Sequence, residues 1–369
     1  MKILITGGAG FVGSHVAEYY AKKGEEVIVF DNLSRAKLLG YEKSNAMYNW
    51  NYLKKYGNIE LVKGDIRDAE KIKDAAKDAD VIIHTAAQTA VTTSLENPRT
   101  DFEINALGTF NVLEAARLGK NNPCVIFCST NKVYGDNVNK IPVREKEKRY
   151  EFADEKYKNG IPEDFPTDLC EHTPYGCSKF LGDVYVQDYA RRNEIDAAVF
   201  RMSCIYGMRQ FGVEDQGRVA WFTIATLLEK PITIYGDGKQ VRDVLYVADL
   251  VKAFDAFVEK CDKLYQGVYN IGGGAGNTLS LLELLDILED LTGKRSEITF
   301  DEWRPSDQKV YINPFRKSVY GKMLRKDISK AKKELGWKAE VSPREGVGKL
   351  VEWVEENKRL FEIQFEGNG

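Results

Sequence analysis

Residues 3–14 read ILITGGAGFVGS, an apolar run closed by glycines at positions 7, 10 and 13. The run has the continuous hydrophobicity of a buried strand, and residues 11–23 carry helical spacing. A glycine pattern alone says little. Here it fills the turn between the first strand and the first helix, and the next apolar run, EVIVFD (26–31), ends on Asp31. That context reads as a dinucleotide site. Gly7 permits a tight turn, Gly10 lets the backbone approach a pyrophosphate, and Gly13 lets the helix pack closely on the sheet. The helix start, at Phe11 and Val12, favours that pyrophosphate. Asp31, with Asn32 beside it, can accept hydrogen bonds from an adenosine ribose and would repel a 2′-phosphate. This favours NAD over NADP, and Arg35 is the one feature pulling the other way.

The alternation continues outward. IELVKGD (59–65), DVIIHTAA (80–87) and CVIFCST (124–130) read as further buried strands, with helical segments near 67–77 and 100–118. DAAVFRMSCIYG (196–207) reads as a strand that leaves the sheet for a loop. Strands alternating with helices predict βαβ units: an α/β fold with a Rossmann-type doubly wound parallel sheet. Past Gly207 the pattern loosens into PITIYG, VRDVLY and GVYNIGG, set among helices near 247–260, 279–292, 327–335 and 344–358. Residues 1–207 are expected to form the dinucleotide domain, with a segment near 240–265 returning to its sheet. Residues 208–239 and 266–358 are expected to form a smaller C-terminal α+β substrate lobe, and 359–369 a frayed tail. The long connection 137–172 is charged and proline-bearing and reads as a solvated surface, although long connections are often functional or mobile.

Composition bounds the function. The 369 residues are 43% hydrophobic and 30% charged, ordinary for a globular protein. A net charge of −3 carries no footprint for nucleic acid. No apolar run reaches the length of a membrane span, so no membrane association and a cytoplasmic location are expected. The six cysteines have no metal-ligand spacing, and reduced buried thiols are expected. With three histidines, a histidine metal site is not expected, and His84, inside a strand-like run, reads as structural.

Several residues fall at the carboxyl edge of the expected sheet, where open α/β sheets bind ligands. Asp65 and Ile66 end the third strand, beside an adenine; Ala86, Ala87 and Gln88 end the fourth; Asn105 follows in the next helix. The fifth strand ends in STNKVYGD (129–136), a hydroxyl pair followed by an amide and an ammonium. Further on, YGCSK places Tyr175 and Lys179 four apart, on one face of a helix. A tyrosine ordinarily titrates near about 10, roughly three units too high for a base at neutral pH. A nearby ammonium and a positive nicotinamide ring favour the phenolate, which could then take a proton from a substrate hydroxyl.

On these motifs the chain resembles the extended short-chain dehydrogenase/reductase family, specifically its nucleotide-sugar epimerases and dehydratases, over roughly residues 1–354. The resemblance implies that Thr130 is catalytic beside Tyr175, and that Lys179 and Ser129 border the nicotinamide ribose. Within the family, YGMRQF, DQGRVAWF, GDGKQVRDVL and RPSDQKVY are similar to epimerases acting at C2 of a CDP-sugar. Met202 and Cys204 depart from that pattern by replacing more polar residues. The resemblance implies NAD as cofactor, a nucleotide-diphosphate sugar as substrate and a homodimer or higher homo-oligomer built through helices 100–118 and 173–193. Arg209, Arg242 and Arg304 are candidate phosphate ligands, since the guanidinium fork suits phosphate. Gln88, Asn131 and Lys132 are candidate sugar contacts. A UDP-hexose 4-epimerase needs the same Thr130, Tyr175 and Lys179. A dehydratase needs an acid after the threonine, where Asn131 cannot titrate. A catalytically silent NAD-binding regulator is the reading from outside enzymology.

Overall fold

The computed structural model describes residues 1–38, 47–157, 160–264, 266–304, 308–311 and 330–366. In chain order its strands begin with β1 (Lys2–Thr6), β2 (Glu26–Asp31), β3 (Ile59–Lys63), β4 (Val81–His84) and β5 (Cys124–Thr130). A hairpin, β6 (Val143–Glu145) and β7 (Tyr150–Phe152), precedes β8 (Asp196–Met202), β9 (Cys204–Tyr206), β10 (Ile232–Tyr235) and β11 (Val241–Tyr246). The last are β12 (Gln266–Ile271), β13 (Thr278–Leu279), β14 (Ile298–Asp301) and β15 (Val310–Tyr311).

Seven strands form one sheet in the order β12-β8-β5-β4-β1-β2-β3, every neighbouring pair parallel. The order reverses between β1 and β4, the switch point where such sheets open a ligand crevice. Both faces are covered, which explains why the strands are almost wholly apolar. Ile3 and Ile5 face one way, against Val16, Ala17 and Tyr20 of α1 (Phe11–Lys22) and Phe254 and Phe257 of helix Val247–Val258. Leu4 faces the other way, with Ile28, Ile82 and Phe127, against helices Gly108–Arg117 and Thr173–Arg191. Successive strand residues point to opposite faces, so one apolar run serves both layers.

The C-terminal lobe packs helices Arg218–Leu227, Leu281–Thr292 and Pro343–Glu356 around its own apolar cluster. Helix Leu281–Thr292 starts on a capping box between Ser280 and Glu283 and stops at Gly293, φ +68°.

Four expectations change. Helix Val247–Val258 does return to the main sheet, but the strand that returns is β12, beyond residue 265. The connection after residue 136 is no merely solvated surface. Ile141, Tyr150, Phe152, Ile161 and Phe165 bury themselves against Val133, Tyr134, Val241 and Val310, because the charges alternate with apolar residues that face inward. The tail holds a helix, Lys358–Glu366, anchored by fully buried Phe361 against Phe211 and Trp353. Cys124 and Cys261 form a disulfide across 137 residues of chain, a proximity created by helix packing on β5 and invisible in sequence spacing. Residues 39–46, 158–159, 265, 305–307, 312–329 and 367–369, included in the readings above, lie outside the described residues.

Candidate active site

The first turn is built as its glycines require. Gly7 has φ +69°, and a Cβ there would lie 2.6 Å from the Ala86 backbone, where the chain leaves β4. A Cβ on Gly13 would lie 2.4 Å from the Gly7 carbonyl oxygen. Close contact of turn, helix and neighbouring strand thus leaves no room for side chains and opens a crevice of about 210 Å³. Gly10, Phe11, Val12, Asp31, Asn32, Asp65, Ile66, Ala86, Ala87, Ser129, Tyr175 and Lys179 all line it.

The Asp31 carboxylate accepts N–H groups from Ala9 at 3.0 Å and Leu33 at 2.7 Å, which fixes it at the end of β2. Burial pushes its carboxyl upward, and these two bonds oppose the shift. Asn32 donates to Asp65 at 2.9 Å. Arg67 grips Asp65 with two nitrogens, at 3.0 and 2.7 Å, and holds its carboxyl down at about 2. Arg35 turns toward the lobe and donates to the Phe211 carbonyl at 2.9 Å and to Gln216 at 2.6 Å. Gln216 in turn donates to Thr89 at 2.8 Å. This strap across the crevice was not legible in the sequence, because its members lie more than a hundred residues apart.

The reacting end lies where β5 meets helix Thr173–Arg191. Thr130 is the last residue of β5. Pro174 opens the helix, and the Tyr175 N–H donates to Ser94 Oγ at 3.2 Å, seating the first turn. One turn on, Lys179 is 3% exposed, with its ammonium 4.2 Å from the centre of the Phe127 ring. Burial lowers Lys179 to about 8, against the pull of Cys128, Asp101 and Asp183. Burial also pushes the Tyr175 phenol up to about 12; the hydrogen bond with Thr130 opposes this, while Asp101 and Cys128 reinforce it. In the cofactor-free chain, burial therefore outweighs the Thr130 hydrogen bond and holds Tyr175 well above neutrality. The expectation that an ammonium and a positive nicotinamide ring together favour the phenolate concerns the loaded site.

Other expected site residues are placed differently. Asn105 is 1% exposed and bonds the Gln88 carbonyl, Asp101 and Ser178 at 3.0–3.1 Å, so it braces the turn after β4 and does not line the crevice. The Gln88 amide donates to Ala90 and Asp101, although the residue borders the crevice. Arg209 is 5% exposed, pairs with Glu18 on α1 at 2.6 Å and stacks on Tyr52. Arg304 pairs with Asp215 at 2.9 Å and lies over the Tyr235 ring. Both arginines have structural partners and neither lines the crevice itself, although Arg209 borders an adjoining cavity with Gly10, Phe11 and Asp31. Arg242 donates to the carbonyls of Val241 and Gln308. With Arg218, which the sequence reading passed over, it flanks Cys204. The Lys132 N–H donates to Thr130, and its carbonyl receives His172. His84 is buried between Thr6 at 2.7 Å and Thr109 at 3.0 Å, a structural role as expected.

A parallel sheet with a glycine turn, a carboxylate at the end of β2 that lines the crevice and a buried Tyr-Lys pair one helical turn apart defines a nucleotide-dependent dehydrogenase-type site. Residues 3–272 match the model of the NAD dependent epimerase/dehydratase family, and the chain belongs to that family. It is 41% identical over 361 residues to the CDP-paratose 2-epimerase of Salmonella typhi, covering 96% of this chain and 99% of that one. It is 30% identical to the UDP-glucuronate 4-epimerase of Thermodesulfobacterium geofontis, covering 97% of each. Among solved structures it resembles UDP-glucuronic acid 4-epimerase from Bacillus cereus in complex with UDP-glucuronic acid and NAD, with TM-score 0.78, 26% identity and coverage of 97% and 100%. It also resembles UDP-glucose 4-epimerase from Thermotoga maritima with UDP-glucose, with TM-score 0.75, 29% identity and the same coverage. The enzyme is an NAD-dependent isomerase, and the glycine turn and Asp31 described above fit that cofactor.

Proposed function

We propose that the protein epimerises a CDP-sugar at C2, converting CDP-paratose to CDP-tyvelose. The observation that carries this is 41% identity, nearly end to end, with a CDP-paratose 2-epimerase, in a chain whose Tyr175 and Lys179 line the crevice and whose Thr130 is a hydrogen-bond partner of Tyr175. When bound, NAD supplies reversible hydride chemistry and a positive ring beside Tyr175. Asp31 would hold its ribose, the turn at Gly7–Gly10 its diphosphate, and Lys179 its second ribose. Tyr175 holds the proton of the sugar 2-hydroxyl at its phenol oxygen and returns it, so no net proton is released; net redox would be zero because the hydride chemistry that NAD would supply is reversible. Thr130 orients that hydroxyl. Exclusion of water by the crevice would protect the oxidised sugar.

Asn131 supports epimerisation over elimination, because an amide at that position cannot act as the acid a leaving hydroxyl needs. Arg242 and Arg218, both of which act on the Cys204 thiol by their charge, are candidate ligands for the substrate diphosphate. We also propose a homodimer. Phe102, Phe110, Leu181, Val184 and Tyr185 are 37–51% exposed on adjoining helices, an apolar face that a second copy would cover.

Incubating the purified protein with CDP-paratose and following the sugar's C2 configuration by NMR tests the reading. Inversion at C2 is expected. Absence of it, with inversion at C4 of a UDP-hexose, would overturn it in favour of a 4-epimerase.

A further inference from the structure

Arg35, Gln216 and Thr89 come from three separate parts of the chain, and all three line the crevice. Arg35 opens the short helix Arg35–Leu38 after β2, and Thr89 follows β4. In the sheet, β2 and β4 are the two neighbours of β1, and the glycine turn after β1 lies between them. The strap from Arg35 to Gln216 at 2.6 Å and from Gln216 to Thr89 at 2.8 Å therefore joins the two sides of that turn. Its Thr89 end is at the surface, since Thr89 is exposed.

Gln216 is delivered by an anchored turn of the C-terminal lobe. Its main-chain N–H donates to the Val213 carbonyl, and its carbonyl accepts from the Val213 N–H, both at 2.9 Å. Between them, Asp215 pairs with Arg304 at 2.9 Å, and Glu214 accepts from the Tyr235 hydroxyl at 2.9 Å. From this turn the Gln216 side chain reaches outward. Its oxygen accepts from Arg35, and its nitrogen donates to Thr89. A carboxylate can only accept and an ammonium can only donate, so the amide is what lets one side chain bridge both partners.

We infer that Gln216 is a positioning residue for the cofactor: the strap it completes closes over the diphosphate of NAD and must open for NAD to enter or leave. A dinucleotide held by Asp31 on the β2 side and by Lys179 on the β5 side would pass the glycine turn, and the strap spans that turn. The Arg35 bond is assisted by charge, whereas the Thr89 bond is neutral and exposed, so the strap opens at Thr89. Such a gate sets rates of exchange more than affinity. An epimerase uses the same NAD for both halves of its reaction and gains from a cofactor that stays. That use rests on the proposed epimerase reading. The closure itself is measured without sugar, so its failure and the failure of that reading are separate results.

The test is exchange of NADH, read by its fluorescence. Stopped-flow mixing of NADH with cofactor-stripped protein gives the association rate, and chasing bound NADH with excess NAD gives the dissociation rate. Gln216→Ala removes the strap and leaves the main-chain bonds of its turn in place. Both rates should rise about fivefold, the factor that a hydrogen bond of ordinary net worth contributes, with Kd within about twofold. Thr89→Val breaks the outer end alone and should match Gln216→Ala. The double variant should be no faster than either, because both substitutions break one strap. Thr89→Ser keeps the hydroxyl and should keep the native rates.

Unchanged rates in Gln216→Ala would overturn the inference. Faster dissociation alone would also overturn it, since that marks a direct contact with the cofactor. So would faster association alone, which marks a contact that the cofactor displaces. Should the stripped protein fail to stay folded by melting, exchange of isotope-labelled NAD into the loaded protein takes its place. Gln216→Ala and Thr89→Val must then both speed exchange about fivefold, and Thr89→Ser must leave it at the native rate.

Discussion

Asp183 accepts both arms of the Arg201 guanidinium, Nε at 2.9 Å and Nη2 at 3.0 Å, in a site where the two side chains are 0% and 5% exposed. The same carboxylate takes the Ser129 hydroxyl at 2.7 Å. This pair ties helix Thr173–Arg191 to β8 and to the end of β5, one residue from Thr130. Removing one partner of a buried pair leaves an uncompensated charge, which costs about 3–5 kcal/mol. Asp183→Ala should therefore lower the urea midpoint by that amount of stability with an unchanged slope. A loss below about 1 kcal/mol, the range of an exposed pair, would show that the pair is dispensable.

Lys179 makes stability depend on pH. Its ammonium titrates at about 8, against an ordinary value of 10.5, because it is buried. Between those values the folded chain binds fewer protons than the unfolded one, so stability rises with pH through the window and is lowest below it. The cost at pH 7 is roughly 3 kcal/mol. Lys179→Met should stabilise the cofactor-free protein by up to that amount at pH 7, with the gain fading toward pH 10.5. Denaturant midpoints of both proteins at several pH values measure it; a gain independent of pH would contradict this account.

Asp31 should set cofactor choice. Its carboxylate, fixed by Ala9 and Leu33, meets a 2′-phosphate with like charge, while Arg35 is engaged with Phe211 and Gln216. Denaturing the purified protein should release NAD. Asp31→Ala should weaken NAD about tenfold or more and narrow the gap to NADP, the loss expected for a charged hydrogen bond. Calorimetric titration with each cofactor reads both, and release of NADP from the native protein would reverse the assignment.

Tyr175→Phe should cut turnover by about 10²–10⁴, the range of general acid–base catalysis, while leaving NAD bound. In the proposed mechanism its phenol is the group that holds the substrate proton, and the rest of the crevice does not depend on that oxygen. Retained turnover in this variant would remove Tyr175 from the proton transfer.

The apolar face on the paired helices predicts a dimer. Leu181→Glu, or Val184→Glu beside it, places a charge on that face without touching the core. Light scattering should report a dimer for the native chain and a monomer for either variant. A monomeric native chain would remove the proposal.

Local signals in the chain were enough to show where the crevice lies. The strand–turn–helix at residues 2–22, Asp31 at a strand end and Tyr175 one turn before Lys179 are short-range patterns, and each is found where its periodicity puts it. The arginines were less legible. Arg209 and Arg304 look alike in sequence as cations in glycine- or proline-flanked loops, but Glu18 and Asp215 claim them, and those partners are set by long-range packing.

By itself, the sequence determined the parallel sheet, the dinucleotide turn and the catalytic spacing, because backbone periodicity and glycine sterics act within a few residues. Only the tertiary structure decided the state of those groups. Burial set Tyr175 and Lys179 away from their ordinary titration. Contacts across the fold assigned Asn131 to Thr130 and Gln308, made the charged connection part of the core, and joined Cys124 to Cys261. Desolvation and hydrogen-bond direction depend on neighbours distant in the chain, and no local pattern encodes them.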